Sequence, residues 1–267
     1  RYHTGDGPII FTPPFGAPEV VRAFRDGGGA GATTLSDCYA FAVLSFTVLG
    51  EQTPFNGEAM EEDGGWSQTI EATTDSPEDL AQLGELPWIF DPDDDSNRST
   101  HGLPSEFFLR SDLFDLYART FGRGRRDPRE RPGMVRWTEV LYEALDRTIT
   151  CQSCGLTHYL DGTCPNCGAP WSSAFLAVYA HRWDPGIEES PAQILKQTPL
   201  GHCILEVHGH EPAFIRRGMA WPSTLARSVM PCIDVAPLDG GARLTSRDEG
   251  QYTLVTPGRR PETLGAE

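Results

Sequence analysis

The chain has 267 residues, a length that suits one large domain or two to three small ones. Hydrophobic residues make up 39% and charged residues 22%, which is ordinary for a globular protein and argues against wholesale disorder. A formal net charge of -16 would repel DNA, RNA and anionic lipid, so we expect no nucleic-acid partner. No stretch approaches the roughly 20 apolar residues that span a bilayer, and we expect no membrane segment.

The first 149 residues carry the signals of helices joined by polar loops. The segment 37–49 is apolar nearly all round, which predicts a helix buried on every side with Ser36 as its N-cap. Ser76 and Ser111 each precede acidic residues and a helical pattern, and predict the starts of two further helices. A last helix is predicted around Trp137, from apolar residues at helical spacing.

Four of the seven cysteines fall in two tight pairs, Cys151-Gln-Ser-Cys154 and Cys164-Pro-Asn-Cys167. Two Cys-x-x-Cys pairs so close together can bring four thiolates to the corners of one tetrahedron, as structural Zn²⁺ requires. A glycine follows each pair and lets the backbone turn tightly. Two disulfides or four free thiols are the alternatives, although disulfides within Cys-x-x-Cys belong mostly to redox enzymes. The pattern predicts a zinc ribbon over residues 150–172.

The remaining cysteines, Cys38, Cys203 and Cys232, stand among apolar neighbours, which favours small buried side chains. A thiolate zinc site implies a reducing compartment, so we expect a cytoplasmic protein.

Residues 173–267 change to short apolar or alternating segments separated by Gly, Pro and Asp turns. The run Leu238-Asp-Gly-Gly-Ala242 is a hairpin signal. The pattern predicts a β-rich accessory domain, built as a small sandwich or barrel.

Four motifs in the first 149 residues resemble the lower lobe of eukaryotic-type protein kinases, in the order that this family has them. Thr12-Pro-Pro-Phe-Gly-Ala-Pro-Glu19 resembles the end of the activation segment, and Leu35-Ser-Asp-Cys-Tyr-Ala-Phe-Ala-Val-Leu44 resembles the start of the family's buried helix F. Pro54-Phe55 and Arg131-Pro132 are similar to two later landmarks. The order of domains further resembles bacterial Ser/Thr kinases that carry additional modules.

This resemblance implies roles for five residues. Glu19 would pair with Arg131 across the lobe, and Asp37 would accept hydrogen bonds from the catalytic loop of a complete kinase. Thr12 and Phe15 would lie in the substrate-facing loop. The fold implied is a multidomain α+β protein: a mainly helical kinase-like C-lobe fragment at 1–149, the zinc ribbon, and an all-β tail.

Phosphoryl transfer needs a Gly-rich loop, an ATP-binding Lys, a catalytic Asp and a Mg²⁺-binding Asp. The chain contains none of the corresponding motifs, and in the family all of them precede the residue that matches Thr12. We therefore expect no catalytic residue in this chain, and read Arg1 as a sign that a preceding part has been removed. Mg-ATP would bind only to the complete parent protein.

Two functions follow as expectations. The first is the C-terminal part of a bacterial Ser/Thr protein kinase, whose partner would be a protein substrate. The alternative is a non-catalytic pseudokinase and zinc-ribbon scaffold that binds a signalling partner.

Two weaker motifs favour ordinary structure. Residues 91–97 space acidic residues like a Ca²⁺ loop but lack its Gly and its final Glu, which favours a solvated loop. His208 and His210 could face one metal, but a strand end is the better interpretation.

Overall fold

The computed structural model describes residues 12–27, 32–61, 76–160, 162–171, 175–181, 190–199, 201–206, 213–220, 230–238, 241–248, 252–256 and 259–265. The chain divides into two compact units, unit 1 over Arg1–Trp137 and unit 2 over Thr138–Glu267. The finer boundaries at 149 and 172 stay a prediction. Across the ranges given above, no helix is both long enough and apolar enough to cross a membrane.

Unit 1 is built from helices and the loops between them. The helices are α1 (Pro18–Arg25), α2 (Thr34–Gly50), α3 (Glu58–Glu61), α4 (Pro77–Gln82), α5 (Ser105–Phe108), α6 (Ser111–Phe121) and α7 (Met134–Leu145), which continues into unit 2. Short 3-10 turns occupy Arg123–Arg125 and Pro128–Glu130.

Helix α2 begins three residues before the predicted start because two side chains cap it together. The Thr33 hydroxyl accepts a hydrogen bond from the Ser36 amide at 3.2 Å, and the Ser36 hydroxyl accepts one from the Thr33 amide at 2.7 Å. This reciprocal arrangement is a capping box, and the N-cap is Thr33 rather than Ser36. Ser76 caps α4 in the same way with Asp79, as its sequence predicts.

The core of unit 1 is aromatic and centres on Phe46, a fully buried residue of α2. Its ring lies within 5.2–6.0 Å, centroid to centroid, of five other rings. These are Trp88, Phe90, Phe108, Tyr117 and Phe121. Edge-to-face packing of this kind adds to the area that the rings bury, and it fixes α2 against α5, α6 and the loop around Trp88.

The expectation that α2 is buried on every side is wrong along one stripe. Leu44 is 51% exposed and Val48, one turn later, is 70% exposed. Residues four apart lie on the same face of a helix, so the two side chains form a continuous apolar patch.

The predicted fold class is wrong. Helices account for 37% and strands for 19% of the structure, so it is not a mainly helical kinase-like lobe with an all-β domain. Much of unit 1 outside its helices is irregular chain held by polar contacts. The buried Asn97, for example, donates to the carbonyls of Phe55 at 3.0 Å and Pro87 at 2.8 Å. Local propensity therefore overstated the helical content.

Where the structure describes unit 2, it contains small antiparallel sheets rather than a sandwich or barrel. Its strands are β1 (Thr148–Thr150), β2 (Thr157–Tyr159), β3 (Phe175–Ala180), β4 (Gly201–Glu206), β5 (Ala213–Arg216), β6 (Pro231–Leu238), β7 (Gly241–Ser246), β8 (Thr253–Leu254) and β9 (Glu262–Thr263). Strands β5, β6 and β7 form a three-stranded sheet, and the others pair as β1–β2, β3–β4 and β8–β9. Short helices α8 (Pro191–Ile194) and α9 (Arg217–Ala220) lie between strands.

The predicted hairpin is present, because Leu238 of β6 pairs with Gly241 of β7. The described sheets have two or three strands each, too few to close a barrel. An apolar core nevertheless forms from residues of β4, β5, β6 and α9 together with Leu264. Its buried members are Cys203, Ile215, Met219, Cys232, Ile233, Val235 and Leu264. We call this group the tail core.

Candidate metal centre

The two Cys-x-x-Cys pairs fold into two turns with the same backbone hydrogen bonds. In the first turn, the Gly155 amide donates to the Cys151 carbonyl at 2.8 Å, and the Cys151 amide donates to the Leu156 carbonyl at 2.9 Å. The second turn repeats this pattern thirteen residues later, with Gly168, Cys164 and Ala169 at the same distances. Each pair therefore presents its two sulfur atoms from one tight loop.

A left-handed glycine closes each turn. Gly155 has a φ of 77° and Gly168 a φ of 70°, a conformation that residues with a Cβ rarely adopt. Added Cβ atoms would meet nothing within 4 Å at either position. The backbone conformation, rather than crowding, is therefore what requires glycine here.

The hairpin β1–β2 holds the first turn in place. Ile149 pairs with His158 and Thr150 with Thr157, so the turn is the loop of this hairpin. The segment from 162 to 171 carries the second turn. We call residues 148–171 the cysteine ribbon.

The four sulfur atoms come together at one point of unit 2. All four lie within 4.8 Å of one another. Cys151 Sγ lies 3.7 Å from Cys167 Sγ, and Cys154 Sγ lies 3.7 Å from Cys164 Sγ. A tetrahedral ion with metal–sulfur bonds of about 2.3 Å separates its sulfur ligands by about 3.8 Å. The arrangement therefore fits a four-coordinate metal ion.

The same distances decide against the disulfide alternative. A disulfide requires its sulfur atoms to lie about 2.05 Å apart, and all seven cysteines of the structure are free thiols. The two close sulfur contacts, moreover, join one pair to the other rather than the two cysteines of a pair. The four cysteines could therefore bind one metal ion between them.

Hydrogen bonds from backbone and side-chain amides shift the pKa values of two cysteines of this cluster. A hydrogen bond from the Leu156 amide, with a second from the Asn166 side chain, lowers the pKa of Cys154 to about 6. The Cys167 amide also lowers the pKa of Cys164, but desolvation and hydrogen bonds with Cys151 and Cys154 outweigh it and raise that pKa to about 11. The cluster thus already favours a thiolate at Cys154.

Leu156 and Asn166 contribute donors that the sequence analysis did not single out. Leu156 lies two residues after the second cysteine of its pair, while Asn166 stands inside the other pair. Amides inside or just after a tight cysteine loop turn toward the sulfur atoms. The spacing of Leu156 and Asn166 from the cysteines was therefore the signal in the sequence that could have identified them.

The three remaining cysteines are buried, as their apolar neighbours predict. Desolvation raises the pKa of Cys203 to about 12 and also raises the pKa values of Cys38 and Cys232. Buried thiols of this kind are poor nucleophiles and poor metal ligands.

Glu19 and Arg131 meet in unit 1, although 112 positions separate them. Arg131 Nη1 and Nη2 donate to the two carboxylate oxygens of Glu19, each at 2.7 Å. The Arg131 side chain is fully buried, whereas that of Glu19 is 32% exposed. Arg131 also donates to the carbonyls of Gly124 at 2.7 Å and Leu35 at 3.0 Å. The guanidinium therefore ties α1 to the start of α2.

The other residues that the resemblance singles out are not hydrogen-bonded to this pair in the described part of the chain. Asp37 lies in the first turn of α2 with its side chain exposed. Thr12 is exposed and its carbonyl accepts a hydrogen bond from the half-buried Phe15 at 2.7 Å. The roles that the resemblance implies, a substrate-facing loop for Thr12 and Phe15 and a structural position for Asp37, stay predictions.

The structure describes one of the two weaker motifs. Residues 91–97 form turns in which Asp91 and Asp94 accept hydrogen bonds from backbone amides two residues later. His208 and His210 lie outside the described residues.

Comparisons of the chain with protein-family models, with curated proteins and with solved structures find no significant match.

Proposed function

We propose that Cys151, Cys154, Cys164 and Cys167 hold one structural zinc ion. The observation that carries this proposal is the clustering of their sulfur atoms, with two pairs at 3.7 Å and all four within 4.8 Å, which suits a tetrahedron of thiolates. Tetrahedral sulfur sites belong to zinc or to iron, and a single ion with four protein ligands is typical of structural zinc. Four thiolates require a reducing environment, which supports a cytoplasmic location.

A site closed by four protein ligands has no position for substrate or water, so its role is to hold the ribbon together. The hairpin β1–β2 pairs only three residues on each strand, and hairpins of this size are marginal by themselves. We therefore propose that unit 2 is a zinc-stabilised, non-catalytic module that binds a protein partner through the surface around the ribbon.

Metal analysis tests the zinc proposal. Purified protein should contain one zinc per chain, and Cys154→Ser should lose it because one of four ligands is gone. Cys38→Ala is the matched control, since it removes a cysteine of unit 1 and should leave the zinc content unchanged. Iron in place of zinc, or equal zinc contents in the two variants, would contradict the proposal.

A second candidate function is the C-terminal part of a bacterial Ser/Thr protein kinase. Its support is the ion pair between Glu19 and the buried Arg131, which the resemblance predicts between segments 112 positions apart. The apolar stripe of Leu44 and Val48 supports it too, since such a surface suits cover by another part of a larger protein. Mg-ATP and the catalytic residues would belong to that other part.

Phosphate transfer tests this candidate. A longer natural polypeptide that includes this chain should transfer labelled γ-phosphate from Mg-ATP to Ser or Thr of a protein substrate. Residues 1–267 alone should transfer none. Transfer by the shorter chain would sink the proposal, and so would a longer polypeptide that carries the catalytic Lys and Asp residues yet stays inactive.

A further inference from the structure

A cavity of about 340 Å³ lies beside the four cysteines, within unit 2. Its volume suits a single long side chain or a small molecule. Residues from the ribbon and from β3 and β4 line it, among them Ile149, His158, Cys164, Trp171, Phe175 and Glu206. The function proposed above makes no use of this cavity.

Two aromatic rings form one wall of the cavity. The rings of Trp171 and Phe175 meet edge to face, with centroids 5.4 Å apart and an angle of 81° between their planes. Trp171 is 41% exposed and Phe175 is 38% exposed, although large rings usually gain by complete burial. The exposed face of an indole attracts cations through its π electrons, most strongly when water is excluded.

A carboxylate stands at the same cavity. Glu206, at the end of β4, accepts a hydrogen bond from the Thr150 amide, and its other oxygen lies 3.5 Å from Gln152 Nε2. These contacts hold the carboxylate in a fixed orientation. The two oxygens of a carboxylate offer about four lone-pair positions, so one carboxylate can accept hydrogen bonds from several donors at once.

The electrostatics of the cavity favour a cation. Among the described residues that line it, Glu206 is the one Asp or Glu, and none is Lys or Arg. Cys151 and Cys164 also line the cavity. Four thiolates around one divalent ion carry a net charge of about -2, which adds to the negative potential. The chain as a whole carries -16, so a basic partner is favoured over an acidic one.

We propose that this cavity binds an arginine side chain of a partner protein, with the guanidinium stacked on Trp171 and paired with Glu206. The proposal deepens the partner-binding role above and rests on it. Arginine suits the site better than lysine, because its planar guanidinium can stack on an aromatic ring and donate two parallel hydrogen bonds to a carboxylate.

Fluorescence polarisation of short labelled peptides tests the proposal on the zinc-loaded full chain. Each peptide carries one arginine, lysine or citrulline among glycine and serine residues. Citrulline keeps the shape of arginine but has no charge, so it should bind about tenfold or more weakly, which is the loss expected without a charge-assisted pair. Equal binding of the arginine and citrulline peptides would overturn the proposal.

Variants locate the binding in the cavity. Glu206→Gln keeps an oxygen for the Thr150 amide but removes the charge, and Trp171→Leu removes the ring. Each should weaken the arginine peptide about tenfold, whereas Glu262→Gln, an exposed change in β9 of the same unit, should not. Unchanged affinity in both cavity variants would overturn the proposal.

Two further measurements separate the possible failures. Zinc content is measured on every sample: a chain without zinc would count against the metal site, whereas a zinc-loaded chain without arginine preference counts against the cavity alone. Free arginine amide serves as competitor. It should displace the arginine peptide, because the cavity holds only the side chain, and failure to displace it would contradict binding of arginine in the cavity.

Discussion

Removal of the metal should unfold the cysteine ribbon and leave the tail core in place. Metal binding contributes about 10–16 kcal/mol in small zinc domains, far more than a hairpin of three residue pairs can supply. The ribbon contributes no residue to the tail core, which runs from Cys203 to Leu264. We therefore expect its loss of structure to be local.

Hydrogen exchange with and without a strong chelator measures this effect. Backbone amides of residues 148–171 should lose protection, including those of Gly155 and Gly168 that close the two turns. Amides of Ile233 and Val235 in β6 should change little. The chelator should have no further effect on Cys154→Ser, which starts without metal. Unchanged exchange throughout the ribbon would reject a structural role for the ion.

Replacement of Glu19 by alanine should lower the free energy of unfolding of unit 1 by about 3 kcal/mol. The substitution leaves the fully buried guanidinium of Arg131 with carbonyl partners and the ring of Tyr39, 4.9 Å away, but with no ion-pair partner among the described residues. The expected loss is at the lower end for broken buried ion pairs, because water already reaches the partly exposed Glu19.

Urea unfolding followed by circular dichroism measures the loss. Glu85→Ala is the matched control: Glu85 pairs with Arg22 at 3.5 Å on the surface, where ion pairs contribute less than about 1 kcal/mol. A loss below about 1 kcal/mol for Glu19→Ala would show that the pair does not stabilise the protein.

The cluster of four cysteines was the most predictable part of the molecule because its signals are local. Each Cys-x-x-Cys pair and the glycine after it lie within five residues, and such a short loop has few ways to fold. The cap of α2 was less predictable, since Thr33 and Ser36 both have capping side chains. Their reciprocal hydrogen bonds, rather than propensity, select Thr33.

The predicted fold class is wrong because contacts between distant parts of the chain decide how the elements pack. The apolar and alternating segments predicted strands in the tail, but not that these strands would pair in separate small sheets, because strand partners are chosen by packing far along the chain. The apolar pattern of α2 likewise could not show which face of the helix is exposed to solvent. The cavity was missed for the same reason: Trp171 and Glu206 are 35 positions apart, and no motif links them.

X-ray absorption at the zinc edge of the purified full chain tests the central claim most directly. The four-cysteine site predicts one zinc ion surrounded by four sulfur atoms at about 2.3 Å. A coordination shell in which nitrogen or oxygen replaces any of the four sulfurs would contradict it, as would protein that contains no zinc after purification under reducing conditions.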